Sequence, residues 1–327
     1  KRQLLGVAAF MLALSAHAQD NPLWMRYCAI SPDGTSIAFT YKGDIYTVPV
    51  NGGKAAQITT NAAHDTHPVW SPDGKQIAFA SDRMGSMDIF VVDREGGIPK
   101  RLTTHSGNET PVAFKDADHI LFLANVMPSA EDAQFPSGQF QQVYEVSTTG
   151  DRPVMFSSMP MEDISINKTG NALLYHDKKG YEDPWRKHHT SSITRDIWLC
   201  SLDGKRSYRK LTSFNGEDRT PVWASDGKSF YYLSEEKGSF NVFKRALDGT
   251  SSTQLTHHTK HPVRFLTAAD NGTLCYGYDG EIYTMKEGTE PRKVQISILT
   301  DKNDKDLIRQ IRRNGATCLL YTSPSPR

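Results

Sequence analysis

Residues 31–59 read SPDGTSIAFTYKGDIYTVPVNGGKAAQIT, and residues 71–103 read SPDGKQIAFASDRMGSMDIFVVDREGGIPKRLT, so one unit is written twice. Each copy holds an SPDG tetrapeptide, an apolar run, an aspartate followed by two apolar residues, a Gly-Gly turn and a final Ile-Thr or Leu-Thr. A fixed period of about forty residues is typical of repeat architectures. The period therefore predicts a repeat fold before any single residue is considered.

The same pattern continues with losses to residue 299, which makes six units. The second and third apolar runs of units three to six lie at 120–122 and 143–144, 173–175 and 196–198, 230–232 and 241–243, and 274–276 and 281–283. Short runs rich in Val, Ile, Tyr and Phe, bounded by Gly, Pro, Asp and Asn, predict four strands in each unit. In SPDG, proline presets φ, aspartate bonds its own backbone and glycine accepts a positive φ, so the tetrapeptide predicts the turn between strands one and two.

Four antiparallel strands per unit predict an all-β fold, a six-bladed β-propeller around a central channel, over residues 19–300. Unit one is already complete from Arg26 to Thr59, and unit six supplies a last strand near residues 293–299. Nothing is left over to exchange between the first and last units. We therefore expect closure without strand exchange.

The first eighteen residues have the pattern of a secretory signal peptide. Lys1 and Arg2 precede an apolar run from Leu4 to Leu14, and Ala16-His17-Ala18 provides a small-x-small cleavage site. The run is too short to span a membrane as a helix, and no later segment has the length of one. We expect an exported, soluble protein, periplasmic or extracellular.

Residues 301–327 depart from the repeat. Residues 301–313 (DKNDKDLIRQIRR) are charged and indicate a linker, and residues 314–317 resemble the beginning of a further unit. Residues 318–327 (CLLYTSPSPR) follow no part of the pattern. We interpret 301–327 as a linker and truncated start of a further unit, with the last ten residues as a candidate foreign tail.

The composition argues against several classes of partner and site. The 38 Lys and Arg residues nearly balance 37 Asp and Glu residues, which leaves a net charge of +1 and no field to attract nucleic acid or anionic lipid. The four cysteines are widely spaced without a CxxC pair, which favours buried apolar roles over disulfides; they are Cys28, Cys200, Cys275 and Cys318.

None of the short motifs that carry a mechanism is present. The chain lacks GxSxG, a glycine-rich phosphate loop, HExxH and CxxC, so we assign no catalytic residue, metal or cofactor. Two histidine clusters, His188 with His189 and His257 with His258 and His261, lie in predicted loops beside Thr and Lys. A zinc site needs three or four ligands on rigid elements, so we interpret both clusters as solvated loops.

Two candidate contact surfaces remain, and each has an ordinary structural alternative. Aligning the units on the proline before each first strand places one residue per unit at a channel mouth, and a second set lies one position earlier. The first set is Tyr27, His67, Thr110, Asp163, Thr220 and His261, and the second is Arg26, Thr66, Glu109, Glu162, Arg219 and Lys260. The alternative is that these are polar turn residues facing water.

The second surface is the insertion between strands two and three of unit four, residues 178–195. Its candidate contact residues are Tyr181, Trp185, Arg186 and Lys187, an aromatic and cationic group on a loop. The alternative is that Trp185 only fastens the loop to its own blade. A long polar connection in unit three, residues 125–142, has the same two interpretations: a contact surface, or a loop that only packs on its own blade.

The quoted SPDG repeats, with SDRMGSMDIF at 81–90, resemble the propeller repeats of TolB and of Tricorn-type proteases. The stretch PWRKHHTSSITRDIW at 184–198 resembles exported Tricorn-like serine peptidases of the tail-specific (C-terminal processing) family. The resemblance implies that the chain is the first propeller of a larger peptidase, inactive alone, which gates or guides peptides to a catalytic domain elsewhere. The implied partners are a peptide or unfolded protein and further domains of the same chain.

Two other functions remain open. A TolB-like scaffold would bind protein partners in the cell envelope, although TolB-like proteins carry an α/β domain before the propeller. The propeller of a prolyl-oligopeptidase-type hydrolase would be followed by a GxSxG motif. Downstream sequence separates the three.

Overall fold

The computed structural model describes residues 22–125, 140–180 and 191–299, and these residues form 25 strands in six sheets. Each sheet contains four antiparallel strands that follow one another in the sequence, and one sheet gains a fifth strand. The prediction of an all-β six-bladed propeller is therefore confirmed.

The strands of the first three blades are as follows. Blade 1 contains β1 (Arg26–Ile30), β2 (Ser36–Tyr41), β3 (Asp44–Pro49) and β4 (Gly53–Gln57). Blade 2 contains β5 (Asp65–Trp70), β6 (Gln76–Ser81), β7 (Asp88–Asp93) and β8 (Lys100–Arg101). Blade 3 contains β9 (Glu109–Phe114), β10 (His119–Ala124), β11 (Gln142–Ser147) and β12 (Val154–Ser157).

The remaining blades continue the same order. Blade 4 contains β13 (Met161–Ile166), β14 (Ala172–Asp177), β15 (Ile197–Ser201) and β16 (Ser207–Lys210). Blade 5 contains β17 (Asp218–Trp223), β18 (Ser229–Ser234), β19 (Asn241–Ala246) and β20 (Ser252–Gln254). Blade 6 contains β21 (Arg264–Ala268), β22 (Leu274–Tyr278), β23 (Glu281–Met285) and β24 (Arg292–Lys293), and β25 (Ile296–Ile298) follows it.

The first strand of every blade lies at the centre of the ring. Each first strand contacts the first strands of the two neighbouring blades, and β1 contacts both β5 and β21, so the ring closes. Six buried apolar clusters form the core, and each is shared by two adjacent blades, including blades 6 and 1. Burial of both faces of each sheet explains why the second strands read as unbroken apolar runs.

The SPDG tetrapeptide forms the turn that the sequence predicts. In the first copy Ser31 Oγ donates to Asp33 Oδ1 at 2.5 Å, and the Gly34 N–H donates to the Ser31 carbonyl at 2.8 Å. Gly34 has φ of 71°, which a side chain would strain. The N–H of Ser36 then donates to Ser31 Oγ at 3.0 Å and starts β2.

The Ile-Thr or Leu-Thr that ends four of the six units has a structural reason as well. In blades 1, 2, 4 and 5 the threonine hydroxyl accepts a backbone N–H of the third strand at 2.9–3.0 Å. The threonines are Thr59, Thr103, Thr212 and Thr256. Each side chain therefore replaces a missing backbone partner where the fourth strand ends.

Tryptophans at the end of two first strands link neighbouring blades. The indole Nε1 of Trp70 donates to the Ala29 carbonyl at 2.9 Å, which joins blade 2 to blade 1. Trp223 Nε1 donates to the Ser165 carbonyl at 2.9 Å and joins blade 5 to blade 4. These bonds stabilise the blade interfaces beyond apolar packing.

Closure of the ring differs in one respect from the expectation. The last strand of unit six is β24 alone, whereas β25, within the stretch expected to complete that unit, pairs in parallel with β4 of blade 1. The Gly53 N–H donates to the Gln295 carbonyl at 2.8 Å, and Ile296 is buried between the two blades. The expectation that nothing was left over is wrong, because three residues beyond blade 6 pair with the free edge of blade 1.

Three cysteines lie on three different blades, and the predicted preference for buried apolar roles over disulfides is confirmed for them. Cys28, Cys200 and Cys275 are free and buried, and Cys318 lies outside the described residues. The part of the chain that the structure describes contains no helix with the length and apolarity needed to cross a bilayer.

Candidate functional site

The central channel is a large cavity that runs through the middle of the ring of blades. It encloses about 960 Å³ and is lined by residues of all six blades. The lining extends from the start of the first strands to the turns between strands one and two. The two ends of the channel differ in their chemistry. The residues predicted from the sequence lie at the end where the first strands begin.

At the start of the first strands, six side chains form a ring that we call the channel ring. One residue comes from each blade: Tyr27, His67, Thr110, Asp163, Thr220 and Phe265. Five of these positions agree with the predicted set. The sixth is Phe265, where the sequence alignment placed His261.

The channel ring has an unusual backbone. The φ angle is 51° at Tyr27, 54° at His67, 49° at Asp163, 49° at Thr220 and 57° at Phe265. Left-handed φ is uncommon for residues other than glycine and costs roughly 1–3 kcal/mol each. Such conformations persist only where the surrounding structure enforces them, and they are concentrated at binding and active sites.

A β-bulge at each of these positions imposes the left-handed backbone. In blade 1 the pairing of β1 with β2 shifts register between Arg26 and Ala29, and the same shift recurs in blades 2, 4, 5 and 6. A bulge changes the direction of a side chain relative to a regular strand. In blade 3 the shift lies later in the strand, and Thr110 has no positive φ.

One half of the channel ring is aromatic. The Tyr27 ring lies 3.7 Å from the His67 imidazole and 4.8 Å from the Phe265 ring, between centroids. Burial lowers the pKa of His67 to about 4, although Asp163 opposes the shift. Burial also raises the pKa of Tyr27, so both side chains are neutral near pH 7.

The other half of the channel ring carries oxygen atoms. Thr220 Oγ1 donates to Asp163 Oδ2 at 2.6 Å, and the Asp163 side chain is 46% exposed. The buried His176 lies behind both, with Nε2 at 3.2 Å from Glu162 Oε2. Because the Thr220 N–H donates to His176 Nδ1 at 3.3 Å, the geometry assigns the imidazole proton to Nε2.

Behind Glu162, a cluster of charged side chains joins blades 4 and 5. Lys178 Nζ lies 2.7 Å from Glu162 Oε1, and the buried Arg195 bridges Glu162 and Glu217. Arg219 Nε lies 2.6 Å from Glu217 Oε1. Burial alone would raise the pKa of Glu162, but its bonds to His176 and Lys178 hold it well below its usual value.

Blade 6 corrects the predicted register. Its first strand begins at Arg264, so Phe265 and Arg264 take the positions predicted for His261 and Lys260. His261 lies instead beside the β22–β23 turn, with Nε2 at 3.3 Å from Asp279 Oδ1. The alignment failed because Pro262 lies before this strand, whereas Pro68 and Pro221 lie inside theirs.

The second predicted set does not form a ring that faces the channel. Arg26, Thr66, Glu109 and Arg219 are absent from its lining, and only Glu162 reaches it. Glu109 is 1% exposed and bonds to Thr103, and burial raises its pKa to about 7. Adjacent residues of a strand point to opposite sides, which directs the second set away from the channel.

At the other mouth, an ion pair connects turns of blades that are not adjacent. Lys168 Nζ of blade 4 lies 2.8 Å from Asp270 Oδ2 of blade 6, and the Asp270 N–H donates to the Pro32 carbonyl of blade 1 at 2.9 Å. The pair lies at the mouth formed by the SPDG-type turns. Both side chains are exposed, so water screens their attraction.

The remaining candidates fall outside the described residues or in ordinary packing. Tyr181, Trp185, Arg186 and Lys187, and His188 with His189, lie outside them. His258 stacks on Tyr278 at 3.9 Å between ring centroids. Among the described residues no group of three His, Cys, Asp or Glu is arranged to hold a metal ion.

The fold and channel define the class of this protein, a six-bladed β-propeller with a candidate binding site in its channel. The family model of the Tricorn protease N-terminal beta propeller domain matches residues 22–291, so the chain belongs to that family. It is 25% identical over 279 residues to Tricorn protease homolog 1 of Streptomyces coelicolor. That alignment covers 85% of this chain and 25% of the relative.

Solved structures show the same fold. The crystal structure of the tricorn protease matches with a TM-score of 0.72 at 20% identity, over 86% of this chain and 27% of that one. TolB from Acinetobacter baumannii matches with a TM-score of 0.58 at 16% identity, over 80% and 60% of the two chains. The chain spans about a quarter of the length of the curated Tricorn relatives that it matches.

Proposed function

We propose that this propeller guides peptides through its central channel to the catalytic domain of an exported Tricorn-like serine peptidase. The observation that carries the proposal is the channel, with residues of all six blades in its lining and a built ring of side chains at one mouth. Membership of the Tricorn propeller family supports a peptide as the occupant. The described channel residues bind and position a substrate, and the chemistry of hydrolysis lies in another domain.

The channel ring gives this role a physical basis. An extended peptide offers alternating side chains and backbone amide groups, and the ring presents aromatic faces on one side and hydrogen-bonding oxygens on the other. Aromatic faces contact side chains of many shapes. A conduit built in this way accepts varied sequences while it excludes folded domains.

The test uses the peptidase encoded by the complete reading frame. Thr110 is the ring residue with ordinary backbone, so Thr110→Trp fills the channel without disturbing a left-handed position. We expect turnover of a long unstructured peptide to fall severalfold, and Thr60→Trp, at an exposed position outside the channel lining, to leave it unchanged. Absence of peptidase activity in the complete protein, or equal turnover by both variants, would contradict the proposal.

The proposal includes export, which rests on the pattern of residues 1–18. We expect the mature protein recovered from a secreting bacterial host to begin at Gln19. Amino-terminal sequencing checks this, and recovery of the chain with residues 1–18 still attached in the cytoplasm would contradict export.

A further inference from the structure

We infer that the channel ring binds a positively charged group of the peptide, a primary ammonium, between the Asp163 carboxylate and the aromatic faces of Tyr27 and Phe265. The inference deepens the proposed function and rests on it. It follows from the arrangement of the ring, the charge of each member and the strain in its backbone.

The ring places its one carboxylate opposite its aromatic residues. Blade 4 faces blade 1 in a ring of six, so Asp163 and Tyr27 lie on opposite walls of one cavity, with His67 and Phe265 on either side of Tyr27. After burial, the charge of Asp163 adds to the raised pKa of Tyr27 and opposes the lowering of the pKa of His67, which agrees with a carboxylate near these rings. A cation in this space lies between a carboxylate and a wall of aromatic side chains, the residue types whose rings attract cations.

The charge of Asp163 is left for an external partner. No lysine or arginine of the described residues forms an ion pair with it, and its partners are the neutral Thr220 hydroxyl and the His176 ring. His176 directs its proton to Glu162. Arg195 lies near enough for the charge of Asp163 to help raise its pKa, but its direct contacts are to Glu162 and Glu217, and Lys178 pairs with Glu162.

A metal ion fits this site poorly. Calcium takes six to eight oxygen ligands and magnesium takes six, whereas the ring offers one carboxylate and two threonine hydroxyls. An anionic group would be repelled by Asp163 and gain nothing from the aromatic faces. A primary ammonium needs few ligands, donates to a carboxylate and to a hydroxyl, and is attracted to ring faces.

The backbone supplies an independent reason to regard the ring as a built site. Five left-handed residues cost stability at one level of the channel, and three of them are Tyr, Thr and Phe, which rarely adopt this conformation. The bulges that cause them direct these side chains into the cavity. Selection for folding alone favours glycine or asparagine at such positions.

The experiment is isothermal titration calorimetry of the 327-residue chain with three pentapeptides, of which the first two are blocked at both ends. One peptide carries a central lysine, its partner carries acetyl-lysine, and a third has no lysine but a free amino terminus. We expect at least one ammonium peptide to bind about tenfold more tightly than the acetylated peptide, as for a charge-assisted hydrogen bond. The lysine and amino-terminal peptides distinguish the two sources of the ammonium.

Asp163→Asn should abolish the difference between the peptides, and Asp203→Asn, an exposed aspartate of the same blade outside the channel lining, should preserve it. Thr110→Arg should weaken the ammonium peptides without touching the hydrogen bonds of Asp163, which covers the case in which Asp163→Asn fails to fold. Equal binding of charged and acetylated peptides would overturn this inference and leave the proposed function standing. Binding of none of the peptides would overturn both.

Discussion

Replacing Thr59 with valine tests whether the threonine that ends four of the repeats holds the third and fourth strands together. Thr59 is 2% exposed, and its hydroxyl accepts the Ile45 N–H at 3.0 Å. Valine has nearly the same shape but no acceptor, so the Ile45 N–H loses its partner inside the blade. A buried donor left unpaired costs about 1–3 kcal/mol, and for a large domain each kcal/mol lowers Tm by roughly 2–4 °C.

Thermal unfolding measured by calorimetry should therefore show Thr59→Val melting roughly 4–8 °C below the parent chain, for a cost near the middle of that range. Thr59→Ser keeps the hydroxyl and should fall less. The neighbouring Thr60 is exposed, so Thr60→Val should change the free energy of unfolding by under about 0.5 kcal/mol. Equal Tm values for the two valine variants would refute this account of the repeat.

Three further variants test other parts of the structure. Burial raises the folded-state pKa of Glu109 from 4.5 to about 7, so the contribution of this group to stability is greatest below pH 4.5 and falls by about 3 kcal/mol as pH rises from 4.5 through 7. Urea unfolding of Glu109→Gln between these pH values should lack this fall, and the same pH dependence in both proteins would count against the burial. Trp223→Phe removes the bond to the Ser165 carbonyl and should cost about 1–3 kcal/mol in urea unfolding, unless the two blades are held by packing alone. Ile296→Ala in the buried closing strand should cost about 2–5 kcal/mol, whereas Leu299→Ala, at a residue 66% exposed, should cost little; similar costs would argue against closure by β25.

Most of the fold could be predicted from the repeat, because each part of a unit is formed by residues that lie close together in the sequence. Asp33 and Gly34 make the turn by their own hydrogen bonds and φ, and Thr59 completes the third strand. Such features can be recognised in a single unit, and their recurrence in other units strengthens the prediction. The partner of the last strand was not predictable in this way, because the apolar residue Ile296 indicates a buried strand without specifying which blade that strand joins.

The channel ring was only partly predictable, since its register depends on bulges. Tyr27, Thr220 and Phe265 gave no sign of left-handed φ, because these residue types rarely adopt it. In blade 6 the proline that served as a marker precedes the strand, which shifted the choice from Phe265 to His261. The charge pairs behind Glu162 depend on contacts between blades that no local pattern encodes.

The central claim is that a peptide occupies the channel at the level of the channel ring. A lysine peptide with a photoactivatable benzophenone, irradiated with the chain and analysed by mass spectrometry, tests it directly. The account predicts adducts on ring residues such as Tyr27 and Phe265, lost on competition with the unlabelled peptide. Adducts confined to the outer strands β12 or β16, or unaffected by competition, would contradict it.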